Sequence, residues 1–244
     1  MSAVLGESAD TGQAPAHGTD GSADVVMPFT EAPVADECPP FHVLLGPDGA
    51  GKSSVMVEIA TRLPGWRTLS TDHALLGPGH ELVGTLRRHV VQDVLPHLGT
   101  HYSTDFLASV LQTAVVHLKD ELARHEAGVP LLIDSYYYKI LAKCRLAGIR
   151  HNPMYDWWRS FPRPRSVVYV DVTPASAWRR SDDGARLNPL EYFGDHPAWL
   201  GFESYQTSLR KLMLEEVRDV PVTIIEEQPS AARAAEAVVK VLAP

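Results

Sequence analysis

The sequence predicts an α/β fold: a five-stranded parallel sheet with helices on both faces and a small lid. Three observations predict it. Short apolar runs of buried-strand type alternate with helical stretches from residue 41 onward. Two of those runs end in an acid, Asp134 and Asp171. The first run passes through a glycine-rich turn straight into a helix. With 244 residues, 45% of them hydrophobic and 21% charged, the chain has enough apolar material for one sizeable core.

The elements follow in order. Phe41-His42-Val43-Leu44-Leu45 reads as a buried strand. Lys52 to Arg62 carries Val55 and Ile59 at helical spacing, with Leu63 just beyond. Residues 66–69 form a weaker strand. Residues 81–98 and 103–126 read as two long helices, the second with Phe106, Val110, Leu111, Ala114, Val115 and Leu118 along one stripe. Residues 129–134 and 166–171 are the third and fourth strands. Val222-Thr223-Ile224-Ile225 is the fifth, and Ala231 to Leu242 a closing helix.

Residues 1–40 differ in kind. They hold seven acids and no Lys or Arg, and they lack hydrophobic periodicity. Such a segment cannot offset the entropy of ordering, so a disordered acidic tail is expected. That tail supplies most of the formal net charge of -8, which leaves the body nearly neutral. A nucleic-acid grip through a broad basic surface is not expected. Two cysteines, Cys38 and Cys144, exclude a disulfide scaffold and a Cys-rich zinc site, and fit a reducing cytoplasm. No membrane span and no secretory signal are read, and a homodimer is left open.

The strongest motif is Gly46-Pro47-Asp48-Gly49-Ala50-Gly51-Lys52-Ser53, which fits G-x-x-x-x-G-K-[ST]. Glycines allow the tight turn that aims successive N–H groups at anionic oxygens. The helix opening at Lys52 points its partial positive charge at phosphates. Lys52 adds a full cation for the β- and γ-phosphates, and Ser53 offers a hydroxyl to Mg²⁺. Binding of ATP with Mg²⁺ is the expectation. The guanine-reading Asn-Lys-x-Asp of switch GTPases is absent, and the body has the size of a small kinase.

Most of residues 41–244 resembles the thymidylate kinase group of P-loop nucleotide kinases. The phosphate loop with its embedded acid, extended through Ser54, looks like that group's cradle. Gly77-Pro78-Gly79 followed by Arg88 resembles the acceptor-side turn and helix. Ile133-Asp134-Ser135-Tyr136 stands where the family has Asp-Arg-Tyr. Val170-Asp171-Val172-Thr173-Pro174, with Ala177 and Arg180, resembles the strand and helix leading into the lid, about residues 180–199. Phe202 to Val217 resembles the helix after the lid. The resemblance implies the three-layer P-loop kinase fold and transfer of the ATP γ-phosphate to a small acceptor, a nucleotide or nucleoside.

The resemblance also assigns roles. Asp48 becomes an acceptor-contacting acid, Arg88 an acceptor-side cation and Tyr136 a wall of the acceptor pocket. Asp134, at a strand's carboxyl end, would hold the Mg²⁺ hydration shell or orient the acceptor, or simply cap a helix. Arg180 and Arg186 flank the polar stretch Ser181-Asp182-Asp183-Gly184, where a lid arginine could neutralise the transferring phosphoryl group. The histidines, His73 and His80 among them, are read as non-ligands.

The sequence departs from the family where an acceptor phosphate would be gripped. Ser135 replaces the arginine of the Asp-Arg pair, Thr113 a second on the long helix, and Leu76-Gly77 a charged turn. A dianionic acceptor needs bidentate arginines. Arg87, Arg88 and Arg145 are the candidates to replace them. Two further readings therefore stand. In one, the acceptor is a hydroxyl-bearing metabolite or antibiotic, with Asp72 as general base. In the other, the chain binds nucleotide as a regulator without catalysis. The side chains lining the cleft opposite the cradle discriminate.

Overall fold

A computed structural model describes residues 38–242. All but the last three residues of the expected acidic tail lie outside the described residues. Five parallel strands form one sheet: β1 (Phe41–Leu45), β2 (Arg67–Leu69), β3 (Leu131–Asp134), β4 (Ser166–Val170) and β5 (Val222–Ile225). Their order is β2-β3-β1-β4-β5. The central strand pairs Leu44 with Asp134 on one side and with Val168 on the other. The helices are α1 (Lys52–Arg62), α2 (Glu81–His89), α3 (Thr104–Ala123), α4 (Tyr138–Leu146), α5 (Pro153–Arg159), α6 (Pro174–Arg180), α7 (Trp199–Glu216) and α8 (Ala231–Leu242).

Alternation along the strands divides the core. Val43, Leu45, Ile133, Val167 and Tyr169 face one layer, with α3, α4, α5 and α7. Leu44, Leu132, Val168 and Val170 face the other, with α1 and α8. This is the three-layer arrangement the alternating runs predict. Among the described residues no helix is long and apolar enough to cross a membrane.

Three elements differ from expectation, each for a local reason. The single helix expected over 81–98 ends as α2 at His89, continues as a wide π-turn over Val90–Val94, and closes as a 3-10 turn over Leu95–His97. Pro96 has no N–H and its ring clashes with the preceding turn, so regular α-helix cannot run through it. The third strand starts at Leu131 rather than 129 because Pro130 has no N–H for the ladder. Its carbonyl still accepts from Arg67 N–H at 2.9 Å. The fifth strand is not buried: Thr223 is exposed and Ile224 is 47% exposed, since β5 is the sheet edge. The long helix begins as read: Ser103 Oγ accepts from Phe106 N–H at 3.1 Å and caps α3.

Ile133 lies at the centre of the sheet and is fully buried. Ile133→Ala is expected to lower unfolding stability by about 2–5 kcal/mol, read from the midpoint of urea denaturation.

Candidate active site

A parallel sheet brings all its strand carboxyl ends to one edge, and the β1–α1 turn sits at the middle of it. That turn runs very close to its neighbours. A Cβ on Gly46 would lie 2.5 Å from the Val170 carbonyl oxygen. One on Gly49 would lie 3.0 Å from the Ala177 Cβ and 3.1 Å from its Cα. Gly49 (φ 71°) and Gly51 (φ 77°) also take the left-handed backbone that glycine adopts at no steric cost. Gly51 caps α1 without a side-chain bond, and the first turn of α1 holds no acid. Its N–H groups therefore remain for an anion. Lys52 is buried, and its Nζ donates to the carbonyls of Gly46 and Pro47, both at 3.2 Å. Burial pulls its pKa down, and so does the neighbouring Lys139 ammonium.

Asp48 is held from an element the sequence did not single out. Lys139 and Lys143, one turn apart on α4, reach it at 2.6 Å (Oδ1) and 3.0 Å (Oδ2). Burial alone would raise the Asp48 carboxyl. Lys139, Lys143 and Lys52 together outweigh it and keep the group well below the usual carboxylate range. Both oxygens face ammonium groups, although Oδ2 receives no well-directed hydrogen bond, so in this state Asp48 is first an ion-pair partner of α4 rather than the open acceptor contact that the resemblance implied. Gln206 of α7, 2% exposed, closes the other side. Its Oε1 accepts from Asp48 N–H at 3.3 Å, and its Nε2 donates to the Glu191 carbonyl at 3.3 Å.

Beside the loop, five oxygen-bearing side chains line up from the start of α1 across the ends of β2 and β3. Ser53 Oγ donates to Asp72 Oδ2 at 2.7 Å. Ser70 Oγ donates to Asp134 Oδ2 at 2.9 Å, and Ser135 Oγ to Asp134 Oδ1 at 2.7 Å. Asp72 N–H donates to Ser70 Oγ at 3.0 Å, which couples the two acids. Burial raises the Asp72 carboxyl, but bonds from Ser53 and Ala74 N–H and the charge of Arg87 leave it lowered. Hard oxygen donors beside an amide cradle fit Mg²⁺, with Ser53 and Asp134 as the groups that would hold it or its waters. Ser135 (φ 60°) and Tyr136 (φ 46°) adopt left-handed backbone, a strained choice for these residue types, right where the chain leaves Asp134.

Across from the cradle opens a cleft of about 470 Å³. Val90 and Val91 wall it from the π-turn, Leu111, Ala114 and Leu118 from α3, and Leu190 and Glu191 from the segment before α7. Its guanidinium is Arg87, which donates to the Thr71 carbonyl and lies 3.3 Å from Thr71 Oγ1. Arg88, singled out from sequence, instead reaches Thr85 of its own helix at 3.4 Å and does not border the cleft. Tyr136 borders it, but its ring is 1% exposed and packs on Phe41 at 5.4 Å. Its hydroxyl donates to the Pro162 carbonyl at 3.3 Å. The ring is core, and it offers the pocket no open wall.

Arg180 and Arg186 lie on the other flank of the loop. Arg180 donates to the Gly49 carbonyl at 3.2 Å and pairs with Glu227 at 2.8 Å. Arg186 donates to the Arg180 carbonyl. Arg180 also borders a hollow of about 270 Å³ between Gly51, Ser54, Val172 and the Gln228-Pro229-Ser230 loop. That hollow continues from the N-terminus of α1.

The fold has solved relatives. Deoxyadenosine kinase from M. mycoides, seen with the products dCMP and a flexible dCDP, superposes with a TM-score of 0.56. It shares 16% identity, over 82% of this chain and 97% of that one. The same enzyme with dATP bound gives 0.55 at 14% identity, over 84% and 100%. Thymidylate kinase from Candida albicans gives 0.50 at 14% identity, over 84% and 91%. This chain has the fold of the P-loop kinases. The P-loop kinase fold is what these similarities establish at such identities. No protein-family model matches the sequence, and no curated protein is similar enough to match.

Asp48→Asn would leave two half-enclosed ammonium groups without their anion. A loss of roughly 3–5 kcal/mol of stability at neutral pH is expected in urea titrations. Because the folded carboxyl is depressed, the parent's advantage persists down to about pH 4. It shrinks only as acid takes the pH down through the depressed value.

Proposed function

We propose that the protein is an ATP-dependent kinase that phosphorylates a hydroxyl group on a small, largely apolar-faced molecule, with a nucleoside as the leading acceptor. One observation carries the reading. The cleft opposite the cradle contains Asp72 and no arginine pair, and its Lys139 and Lys143 already neutralise Asp48. A phosphate dianion would find no bidentate grip there. A hydroxyl would find a carboxylate. The apolar walls from the π-turn and α3 suit a flat ring.

The residues divide the work. The amides of residues 49–53 and the Lys52 ammonium clasp the β- and γ-phosphates, once Lys52 exchanges its two carbonyl partners for phosphate oxygens. Ser54 and the Gln228-Pro229-Ser230 loop border the rest of the nucleotide. Mg²⁺, held by Ser53 and, through its waters, by Asp134, would supply charge neutralisation for the triphosphate and leave Asp72 free. Asp72 accepts the proton as the acceptor oxygen bonds to the γ-phosphorus and the bond to ADP breaks. Arg180 fixes the loop through Gly49, and Arg186, beside it, supplies positive charge over the departing phosphate. The segment over 180–199 acts as the lid.

Two variants and a panel test this. Lys52→Ala is expected to lower turnover about a hundredfold or more. Asp72→Asn should lose about 10²- to 10⁴-fold in kcat while ATP still binds. In a coupled ADP-release assay, nucleosides are expected to outperform thymidine monophosphate. Efficient turnover of the monophosphate would return the assignment to a nucleotide kinase. Transfer to aminoglycoside-type or other polyhydroxyl compounds, but not nucleosides, would keep Asp72 and change the acceptor. ATP binding with no transfer to any acceptor would make the protein a nucleotide-binding regulator.

A further inference from the structure

Outside the cleft, three side chains converge that the proposed reaction does not use. Glu121 and His117 lie four residues apart on α3, and so share one face of the helix. His80 precedes the first residue of α2, in the turn that begins at Gly77-Pro78-Gly79. Its ring stands 4.7 Å from that of His117, edge to face. Its Nε2 is 3.7 Å from Glu121 Oε1. One donor atom from each of the three lies within 4.8 Å of the others.

We propose that His80, His117 and Glu121 form a binding site for a transition-metal dication of the zinc class, which fastens α2 to α3. Two imidazoles and one carboxylate are the donor types such an ion prefers. Bonds of about 2.0–2.1 Å in a tetrahedron need donors roughly 3.3 Å apart. Side-chain rotations on the order of 1 Å close the trio to that spacing. The fourth position faces the exposed side of His80 and would hold water.

The charge surroundings admit the ion. Glu121 is nearly buried and shared between Arg67, on Oε2 at 2.5 Å, and Arg124, on Oε1 at 3.0 Å. Arg124 is well exposed at the end of α3 and free to swing away, whereas Arg67 comes from β2 and keeps the carboxylate in place. The ion would therefore compete with Arg124 alone for Oε1. The mechanical need is visible too. No residue of α2 is buried, although this helix carries Arg87 to the cleft. A bond network from its first turn to α3 would fix what packing does not.

The test uses the full chain, stripped with chelator and titrated with Co²⁺. One equivalent per chain and the visible absorption of a tetrahedral cobalt site are expected, along with a raised melting temperature. His117→Gln and, independently, the exposed His80→Ala should each weaken binding more than about a hundredfold, since even outer-sphere partners are worth ~10- to 100-fold. Arg124→Ala should bind more tightly. The double variant His97→Ala/His101→Ala, which removes a stacked histidine pair elsewhere (4.9 Å), should bind as the parent does. Absence of stoichiometric binding overturns the proposal. So does retained binding in either ligand variant, loss of binding in the His97/His101 variant, or weaker binding in Arg124→Ala.

Discussion

Five strands run the same way, and that single constraint decides where the chemistry can be. β1 lies at the centre, between β3 and β4, so its carboxyl end meets Asp134 on one side and the Val170 carbonyl on the other. The loop leaving β1 has no room for side chains at Gly46 or Gly49. Once it is pressed into that space, its amides point outward at the sheet's edge. Everything else in the site is arranged around that loop: the acids on β2 and β3, the lysines on α4, the glutamine on α7 and the arginine on α6.

Electrostatics then decides what the cleft accepts. Five cations come near the loop, from α1, α2, α4 and α6, and three of them are paired with carboxylates. Lys139 and Lys143 hold Asp48, Arg180 holds Glu227 and the Gly49 carbonyl, and Arg87 holds Thr71. Lys52 has only neutral carbonyl partners. It is the buried cation with most to gain from a phosphate, and the acceptor side offers the single guanidinium of Arg87 rather than a bidentate pair. The contrast between a donor side with a free ammonium and an acceptor side with one guanidinium and lysines already paired to Asp48 is the physical basis for favouring a hydroxyl over a phosphate.

Much of this was legible in the sequence because it rests on local chemistry. The glycines and Lys52 form a contiguous pattern, and β1, β3 and β4 are unbroken apolar runs. Pro96 carried a signal for the broken helix that the apolar stripe over 81–98 concealed. Lys139, Lys143 and Gln206 were not legible, because only packing of α4 and α7 against the loop gives them partners. Arg87 and Arg88 could not be ranked from sequence, since one residue of helix rotation decides which meets the cleft. His80 looked partnerless because its carboxylate, Glu121, is remote along the chain and neighbours it only after α2 folds onto α3. Tyr136 followed a functional acid and invited a functional role, but its left-handed backbone turns the ring inward.

The engagement of Asp48 by two lysines has a consequence for the protein before any nucleotide arrives. A phosphate site is a concentration of unbalanced positive potential, which repels itself when vacant. Here the loop carries its own resident anion, which offsets part of the charge of Lys139 and Lys143 and leaves the surplus on Lys52 for an incoming phosphate. An incoming triphosphate carries more negative charge than that surplus can match, and Mg²⁺ would then serve to offset the remainder as well as to align oxygens.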